Sequence, residues 1–298
     1  RDRRAPGDPR PRQRPHPDRA LVKSKRSAPA SAASVLRLIQ GLRASSEQDA
    51  PLVVAGPDGL VPVLVKELTR GGVAAAVRAH GPLKGGAALI LLLAARPDEG
   101  DERLLRDATR ARLPVVAVIP GSAGGPFHVP YVLDANVVHV SGGSGFPVDE
   151  IAKRLARTMG EDATPLAARL PVLRGAVCEE LIRKFSRQNG FLGVAVFVPG
   201  ADLPVLTANQ VRLVLRIADA YGFEIDRERL PEVLAVIGSG LGFRALARRA
   251  IGYVPVVGWA VKGAVAYTGT RALGEAAVRY FESRAPVTKV AGERVRFP

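Results

Sequence analysis

With 298 residues, of which 47% are hydrophobic, the chain is long enough for two domains of ordinary size. Its single cysteine, Cys178, excludes an internal disulfide framework, fits a reducing cytoplasm and is expected to be a buried structural thiol. The net charge of +15 is concentrated at the ends, because residues 1–26 and 240–298 each hold ten basic and three acidic residues (+7 each), which favours an anionic partner.

The N-terminal half predicts a basic tail followed by an α/β domain. Residues 1–33 are rich in Pro and Arg and have little to bury, so we expect a disordered tail there. Residues 34–164 alternate between strand and helix patterns, which predicts a doubly wound α/β domain with a parallel sheet. The predicted strands are residues 51–55, 73–77, 87–94, 114–119 and 137–140, and the predicted helices are residues 61–70, 101–112 and 147–159.

The C-terminal half predicts an α-helical domain over residues 165–284 and a short basic tail over residues 285–298. Apolar residues at a spacing of four predict a helix over residues 170–187. Residues 207–210 (TANQ) have the pattern of a capping box, so a second helix is predicted to start there and to end at Gly222. Further helices are predicted over residues 226–237 and up to Ser283.

Residues 238–274 are rich in glycine and alanine and carry the candidate contact residues. Small residues recur there at helical spacing, which suits close packing of two helices in a membrane or in a soluble hairpin. This small-residue ridge comprises Gly263, Ala266, Thr270 and Gly274. The candidate membrane or partner contacts are Arg244, Arg248, Arg249, Trp259 and Lys262, for which a solvated helix face is the alternative.

No simple membrane span and no signal peptide are expected. The apolar run over residues 250–261 is interrupted at Lys262, and it is shorter than the roughly 20 residues that a span needs. The first residues lack the apolar core of a signal peptide.

The segment after the first predicted strand occupies the place of a nucleotide-binding P-loop. A P-loop reads G-x-x-x-x-G-K-[ST], in which backbone amides and Lys hold phosphates and the hydroxyl binds Mg²⁺. Here Gly56 supplies the first glycine, but Pro62 and Val63 stand where Lys and Ser/Thr are needed. Proline also removes an amide donor. The chain therefore has the place for a P-loop without its chemistry.

The order of elements in this half resembles the Era-type GTPase domain of the translation-factor class. Such domains carry N-K-x-D after the fourth strand, where this chain reads PGSA (residues 120–123), and S-A-[KL] after the fifth, of which only Ser141 is kept. Residues 138–155 (VHVSGGSGFPVDEIAKRL) are similar to the last family element and its helix. The resemblance implies a pseudo-GTPase with vestigial nucleotide positions at Gly56, Gly59 and Ser141.

Residues 170–283 resemble the bacterial domain-of-unknown-function family 697. The resemblance rests on four elements: ADLP (residues 201–204), NQ (residues 209–210), GFR (residues 242–244) and YTGT (residues 267–270). It implies a helical domain that is membrane-associated, accompanies Era-like GTPase domains and has no agreed activity.

We therefore expect a non-catalytic, membrane-associated adaptor or scaffold with a pseudo-GTPase domain, in the cytoplasm or peripheral to the inner face of the cell membrane. Its partner is expected to be an anionic membrane surface or a protein, with a homo-oligomer as a further option. No catalytic residue, metal, cofactor or small-molecule substrate is evident.

Two alternatives remain open. One is a GTPase-related, nucleotide-binding enzyme with an unorthodox site, which the missing Lys and Ser/Thr disfavour. The other is a nucleic-acid binder that uses the basic tails, which the aromatic content of only 5% disfavours.

Overall fold

The computed structural model describes residues 50–121, 127–140, 145–195, 203–225, 230–239, 258–285 and 295–296. The predicted tail over residues 1–33 lies outside this part of the chain, and so does most of the tail predicted over residues 285–298.

Five parallel strands form one sheet in the order β2-β1-β3-β4-β5, which confirms the predicted parallel α/β fold. The strands are β1 (Leu52–Ala55), β2 (Val77–Ala79), β3 (Ala88–Leu92), β4 (Val115–Pro120) and β5 (Val137–Val140). β3 is central and buried along its whole length, as its apolar sequence predicts. β2 begins four residues later than predicted, because the alanines at 74–76 form a 3₁₀ turn before it.

Helices cover both faces of the sheet. α1 (Val61–Leu68) and α3 (Val148–Met159) pack on one face, and α2 (Glu99–Arg110) packs on the other. No α-helix lies in residues 80–87, between β2 and β3, or in residues 127–136, between β4 and β5. The described residues of both connections reach the α2 face, where Val129 and Val132 are buried and Leu83 packs against them and their neighbours. The α2 face therefore has a thinner cover than the α1–α3 face.

The described residues after α3 form a helical bundle on the α1–α3 face. Its helices are α4 (Thr164–Arg169), α5 (Arg174–Ala195), α6 (Leu203–Ala220), α7 (Leu230–Ser239) and α8 (Gly258–Glu282). The two short strands β6 (Phe223–Glu224) and β7 (Val295–Arg296) pair beside it. One buried core runs from Leu52 in the sheet to Phe281 in α8, across the predicted domain boundary at residue 164.

Two helix starts differ from the prediction. α6 begins at Leu203 rather than at the capping-box pattern, and Thr207 is exposed within the helix. Pro204 fits this earlier start, because the first helical turn does not need its missing amide hydrogen. The start predicted at Asp226 lies outside the described residues, and α7 is described from Leu230. The predicted stop holds, since α6 ends at Ala220 just before Gly222, whose φ is 74°.

The small-residue ridge of α8 is buried against α5. A Cβ added at Gly263 would lie 2.4 Å from Val194 Cγ2, and one at Gly274 would lie 2.6 Å from Ile182 Cγ1. These contacts make α5 and α8 antiparallel and closely packed, so protein packing accounts for the ridge. In the described part of the chain, no helix has both the length and the hydropathy that crossing a bilayer requires.

We predict that Gly263→Ala lowers the free energy of unfolding by about 1–3 kcal/mol, because the new methyl group overpacks the α5–α8 contact. The matched control is Gly269→Ala on the same helix, where no atom lies within 4 Å of an added Cβ. That variant should gain about 0.5–1 kcal/mol, because alanine favours a helix interior over glycine. Urea denaturation measures both values, and equal effects at the two positions would contradict the close contact.

Candidate functional site

The loop after β1 lies at the point of the sheet where doubly wound proteins bind ligands, between β1 and β3. Gly56 has a φ of 137°, and a Cβ there would lie 2.5 Å from the Leu92 carbonyl oxygen, so close strand packing requires the glycine. The amides of Leu60 and Val61 donate to the Pro57 carbonyl at 2.9 and 3.1 Å. These two amides are therefore engaged inside the turn and are not directed at a phosphate.

Charge at this edge of the sheet is also unsuited to a nucleotide. Asp58 is exposed, and its Oδ1 lies 3.5 Å from His80 Nε2, whereas a P-loop would place a lysine nearby. α2 begins with a capping box between Asp98 and Asp101, and its first turn carries Glu99 and Glu102 as well. Burial, with repulsion from Asp98, raises the pKa of Asp101. Acidic residues at this helix N-terminus would repel phosphate groups.

The vestigial nucleotide positions are only partly described. Gly56 and Gly59 lie together in the loop after β1, and an added Cβ at Gly59 would meet open space. Ser141 lies outside the described residues. What the structure shows at the two glycines is a tight turn, with no phosphate cradle built around it.

No catalytic or metal-binding constellation is found in the described part of the chain. Cys178 is buried, and burial raises its pKa to about 12, so the thiol stays protonated at neutral pH. The interpretation of this residue as a structural thiol agrees with that position. Among the described residues, no three His, Cys, Asp or Glu side chains group together as metal ligands would.

One end of the helical bundle carries exposed apolar side chains and an exposed lysine. The C-terminal turns of α5 meet the start of α8, since an added Cβ at Gly193 would lie 3.1 Å from the Lys262 carbonyl oxygen. α6 starts at the same end, because Asn189 Nδ2 lies 3.5 Å from the Leu206 carbonyl oxygen. We call this surface the bundle tip, and it comprises Phe191, Val205, Val261, Lys262 and Val265.

The bundle tip includes Lys262, one of the predicted contact residues. Phe191 is 72% exposed and Val265 is 43% exposed. Lys262 is exposed beside them. Trp259 lies in the first turn of α8, at the same end. Arg244, Arg248 and Arg249 lie outside the described residues, in the segment that joins Ser239 to Gly258.

A cluster of charges that the sequence analysis did not single out joins the bundle to the sheet. Glu161 lies in the 3₁₀ turn Gly160–Ala163 between α3 and α4. Its Oε1 accepts from Lys184 Nζ at 2.9 Å, and its Oε2 accepts from Arg212 Nη2 at 2.7 Å and from Arg216 Nε at 3.3 Å. Burial opposes ionisation of Glu161, but the bond from Lys184 and the charges of both arginines outweigh burial and lower its pKa. We call these four residues the Glu161 cluster.

A buried network of amides and a hydroxyl fixes the register of α5, α6 and α8. Asn189 Nδ2 donates to Thr270 Oγ1 at 2.8 Å, and Asn189 Oδ1 accepts from Asn209 Nδ2 at 3.0 Å. Gln210 Nε2 also lies 3.4 Å from Thr270 Oγ1. Asn209, Gln210 and Thr270 belong to the elements that carry the family resemblance, and the fold brings them together around Asn189. Their shared role in this structure is core packing.

The fold and these sites define a parallel α/β protein with an attached helical bundle. The loop after β1, where such folds bind ligands, lacks the groups that hold phosphates, and the bundle tip exposes apolar side chains. No protein-family model matches the chain. No curated protein shows significant similarity to it either. The two family resemblances therefore stay predictions.

We predict that Glu161→Gln lowers the free energy of unfolding by about 3 kcal/mol at neutral pH, because it removes the carboxylate that contacts the buried Arg216 and the half-buried Arg212. The folded-state pKa of Glu161 is lowered, so its stabilisation is present above the unfolded-state pKa of about 4.3 and is lost as pH falls through the folded value. Denaturation from pH 7 to pH 3 should show the two proteins converging in acid. Asp162→Asn, at the exposed neighbouring carboxylate, is the control, and a Glu161→Gln effect no larger than this control's would refute the role.

We also predict no measurable Mg²⁺-dependent GTP hydrolysis, because the loop after β1 has neither the lysine nor the free amides that hold phosphates. Phosphate release and the melting temperature with and without GTP and Mg²⁺ are the measurements. Saturable GTP binding together with turnover by the purified protein would overturn the prediction.

Proposed function

We propose that this protein is a non-catalytic, membrane-associated adaptor that binds an anionic membrane surface through its bundle tip. One observation carries the proposal: three helix ends lie at the same end of the bundle, and they carry the exposed side chains of Phe191, Val205, Val261, Lys262 and Val265. Apolar and aromatic side chains next to a cation are the composition of helices that bind the interface of a bilayer.

The exposed apolar area supports a partner at this surface. Full burial of a side chain such as Phe or Val contributes about 1.5–3 kcal/mol relative to leaving it in water. Phe191, at 72% exposure, gains little of this within the protein itself. Insertion of the tip into the apolar boundary of a bilayer would recover much of it without a matched protein surface.

The positions of the basic residues support an anionic partner. Lys262 is on the tip, and Arg244, Arg248 and Arg249 belong by sequence to the segment that leads into α8 at that end. Each Lys or Arg near an anionic membrane contributes about 1 kcal/mol of attraction, which salt screens. Binding would therefore combine a salt-sensitive part from these cations with a salt-resistant part from the apolar side chains.

We further propose that the α/β part is a pseudo-GTPase that serves as a platform for this bundle. The parallel sheet with its switch point between β1 and β3 supports the likeness to nucleotide-binding domains. Engaged amides in the loop and acidic residues at the start of α2 argue against nucleotide chemistry there. A protein partner for the tip, including a second copy of the chain, is the competing outcome of the test below.

The test is sedimentation of the purified full chain with vesicles of phosphatidylglycerol and phosphatidylcholine, at low and high salt. We expect binding at low salt and a smaller, retained fraction at high salt. Phe191→Ser with Val265→Ser should weaken the partition into vesicles by about tenfold or more, from the transfer energies of the two side chains.

Leu133→Ser is the matched control, because Leu133 is 73% exposed but lies in the loop between β4 and β5, away from the bundle. It should leave vesicle binding unchanged. A folded protein that stays in the supernatant with anionic vesicles at low salt would refute the proposal. Self-association lost in the Phe191→Ser, Val265→Ser variant would then assign the tip to a second copy of the chain.

A further inference from the structure

The exposed side of α5 carries two cations in line with Phe191, the aromatic residue of the bundle tip. Lys184, Arg187 and Phe191 are spaced by three and four residues, so they share one helix face. Arg187 and Phe191 are exposed, and the Lys184 side chain is 40% exposed. From the helix rise, Arg187 lies about 6 Å and Lys184 about 10 Å from Phe191 along the axis.

These spacings match the layers of a membrane interface. Apolar faces of interfacial helices lie about 5–10 Å into the boundary between headgroups and acyl chains. With Phe191 at that depth, Arg187 and Lys184 reach the level of the lipid phosphates. The bundle tip and these cations would then contact two successive layers of the same bilayer.

The Glu161 cluster, to which Lys184 belongs, has more positive than negative charge and has hydrogen-bond donors that Glu161 does not use. Three cations, Lys184, Arg212 and Arg216, contact Glu161, and a second carboxylate, Asp219, lies 4.0 Å from Arg216. Counting both carboxylates, a charge of +1 remains. Arg212 is 35% exposed, and its Nε is buried without a hydrogen-bond partner among the described residues.

Lys184 and Arg212 are held side by side for a second acceptor. Their nitrogens contact the two oxygens of one carboxylate, so they lie close together. Lys184 uses one of its three donors on Glu161, and the Arg212 guanidinium stacks over the Phe185 ring at 5.7 Å. An oxyanion that accepts from both side chains would neutralise the residual charge. Glu161 fixes the geometry in advance, which lowers the entropic cost of binding.

We propose that Lys184 and Arg212, with Arg187 beside them, bind the phosphate of an anionic lipid headgroup while the bundle tip enters the bilayer. This inference rests on the proposed function and adds a phosphate site that the tip residues do not supply. Charge-assisted bonds from Arg and Lys to phosphate oxygens are the interactions that would hold the headgroup.

The experiment compares vesicle partition of the full-length variants K184Q/R212Q and R96Q/R110Q, which lose the same charge. Arg96 and Arg110 are exposed on the α/β part, before and at the end of α2. At about fivefold per cation near the surface, K184Q/R212Q should lose about 25-fold in partition, and R96Q/R110Q less than about twofold. Arg187→Gln should lower the vesicle partition about fivefold and leave the melting temperature unchanged. This variant still tests the site if K184Q/R212Q unfolds.

The outcomes separate this inference from the proposed function. If K184Q/R212Q and Arg187→Gln both match R96Q/R110Q while Phe191→Ser with Val265→Ser still weakens binding, the phosphate site is wrong and the membrane function stands. If the wild-type protein binds no anionic vesicles, both fail.

Inorganic phosphate distinguishes a site from diffuse charge. At equal ionic strength, phosphate should displace the wild-type protein from vesicles more than chloride does, and K184Q/R212Q should show no difference between the two salts. Equal displacement of the wild-type protein would overturn the site. A rise in melting temperature with phosphate and unchanged vesicle binding would assign the site to a soluble phosphate compound and overturn the lipid assignment.

Discussion

The carboxylate of Glu161 is the polar contact on which the joining of the two halves depends. It lies in the short turn that leaves the sheet-packing helix α3, and it binds cations from both α5 and α6. Arg216 is only 4% exposed, so its buried charge needs this carboxylate and that of Asp219, which lies 4.0 Å away. The two halves share one apolar core, and apolar packing is not directional. The charged bonds of the Glu161 cluster are directional, so they help to fix how the bundle is oriented on the α/β part.

The sheet could be predicted from the sequence because its signal is local. β3 reads as an uninterrupted apolar run, and only a strand covered on both faces needs such a run. The predicted strand at residues 73–77 failed in detail, because three alanines were assigned to the strand although they form the turn before it. The loops that replace helices on the α2 face could not be foreseen either, since burial of Val129 and Val132 depends on the finished sheet.

In the bundle, some sequence patterns are compatible with two different structures, so the sequence alone did not predict which one forms. The small-residue ridge fits lipid-embedded helices and a soluble pair equally well, because both need the kind of close contact that Gly263 makes with Val194. The capping-box pattern at residues 207–210 misplaced the start of α6, because Asn209 and Gln210 bond across the core instead of to their own backbone. The Glu161 cluster was missed for a related reason: its three cations are 23 to 55 positions away from Glu161, and no spacing in the sequence links them to it.

The carboxyl edge of the sheet and the bundle tip differ in the ligands they can bind. At the carboxyl edge of the sheet, loop amides are already engaged and the helix start is acidic, so the usual ligand position of the fold is electrostatically closed to phosphates. At the bundle tip, apolar side chains are left in water beside a lysine, and the nearest cluster of charges is positive in sum. Because a continuous core, the Glu161 cluster and the bonds of Arg169 to Ala50 and Val73 join these parts, a surface held at the tip would hold the sheet in a fixed orientation to it. The proposed adaptor role requires this fixed orientation. It does not require nucleotide binding or hydrolysis at the carboxyl edge of the sheet.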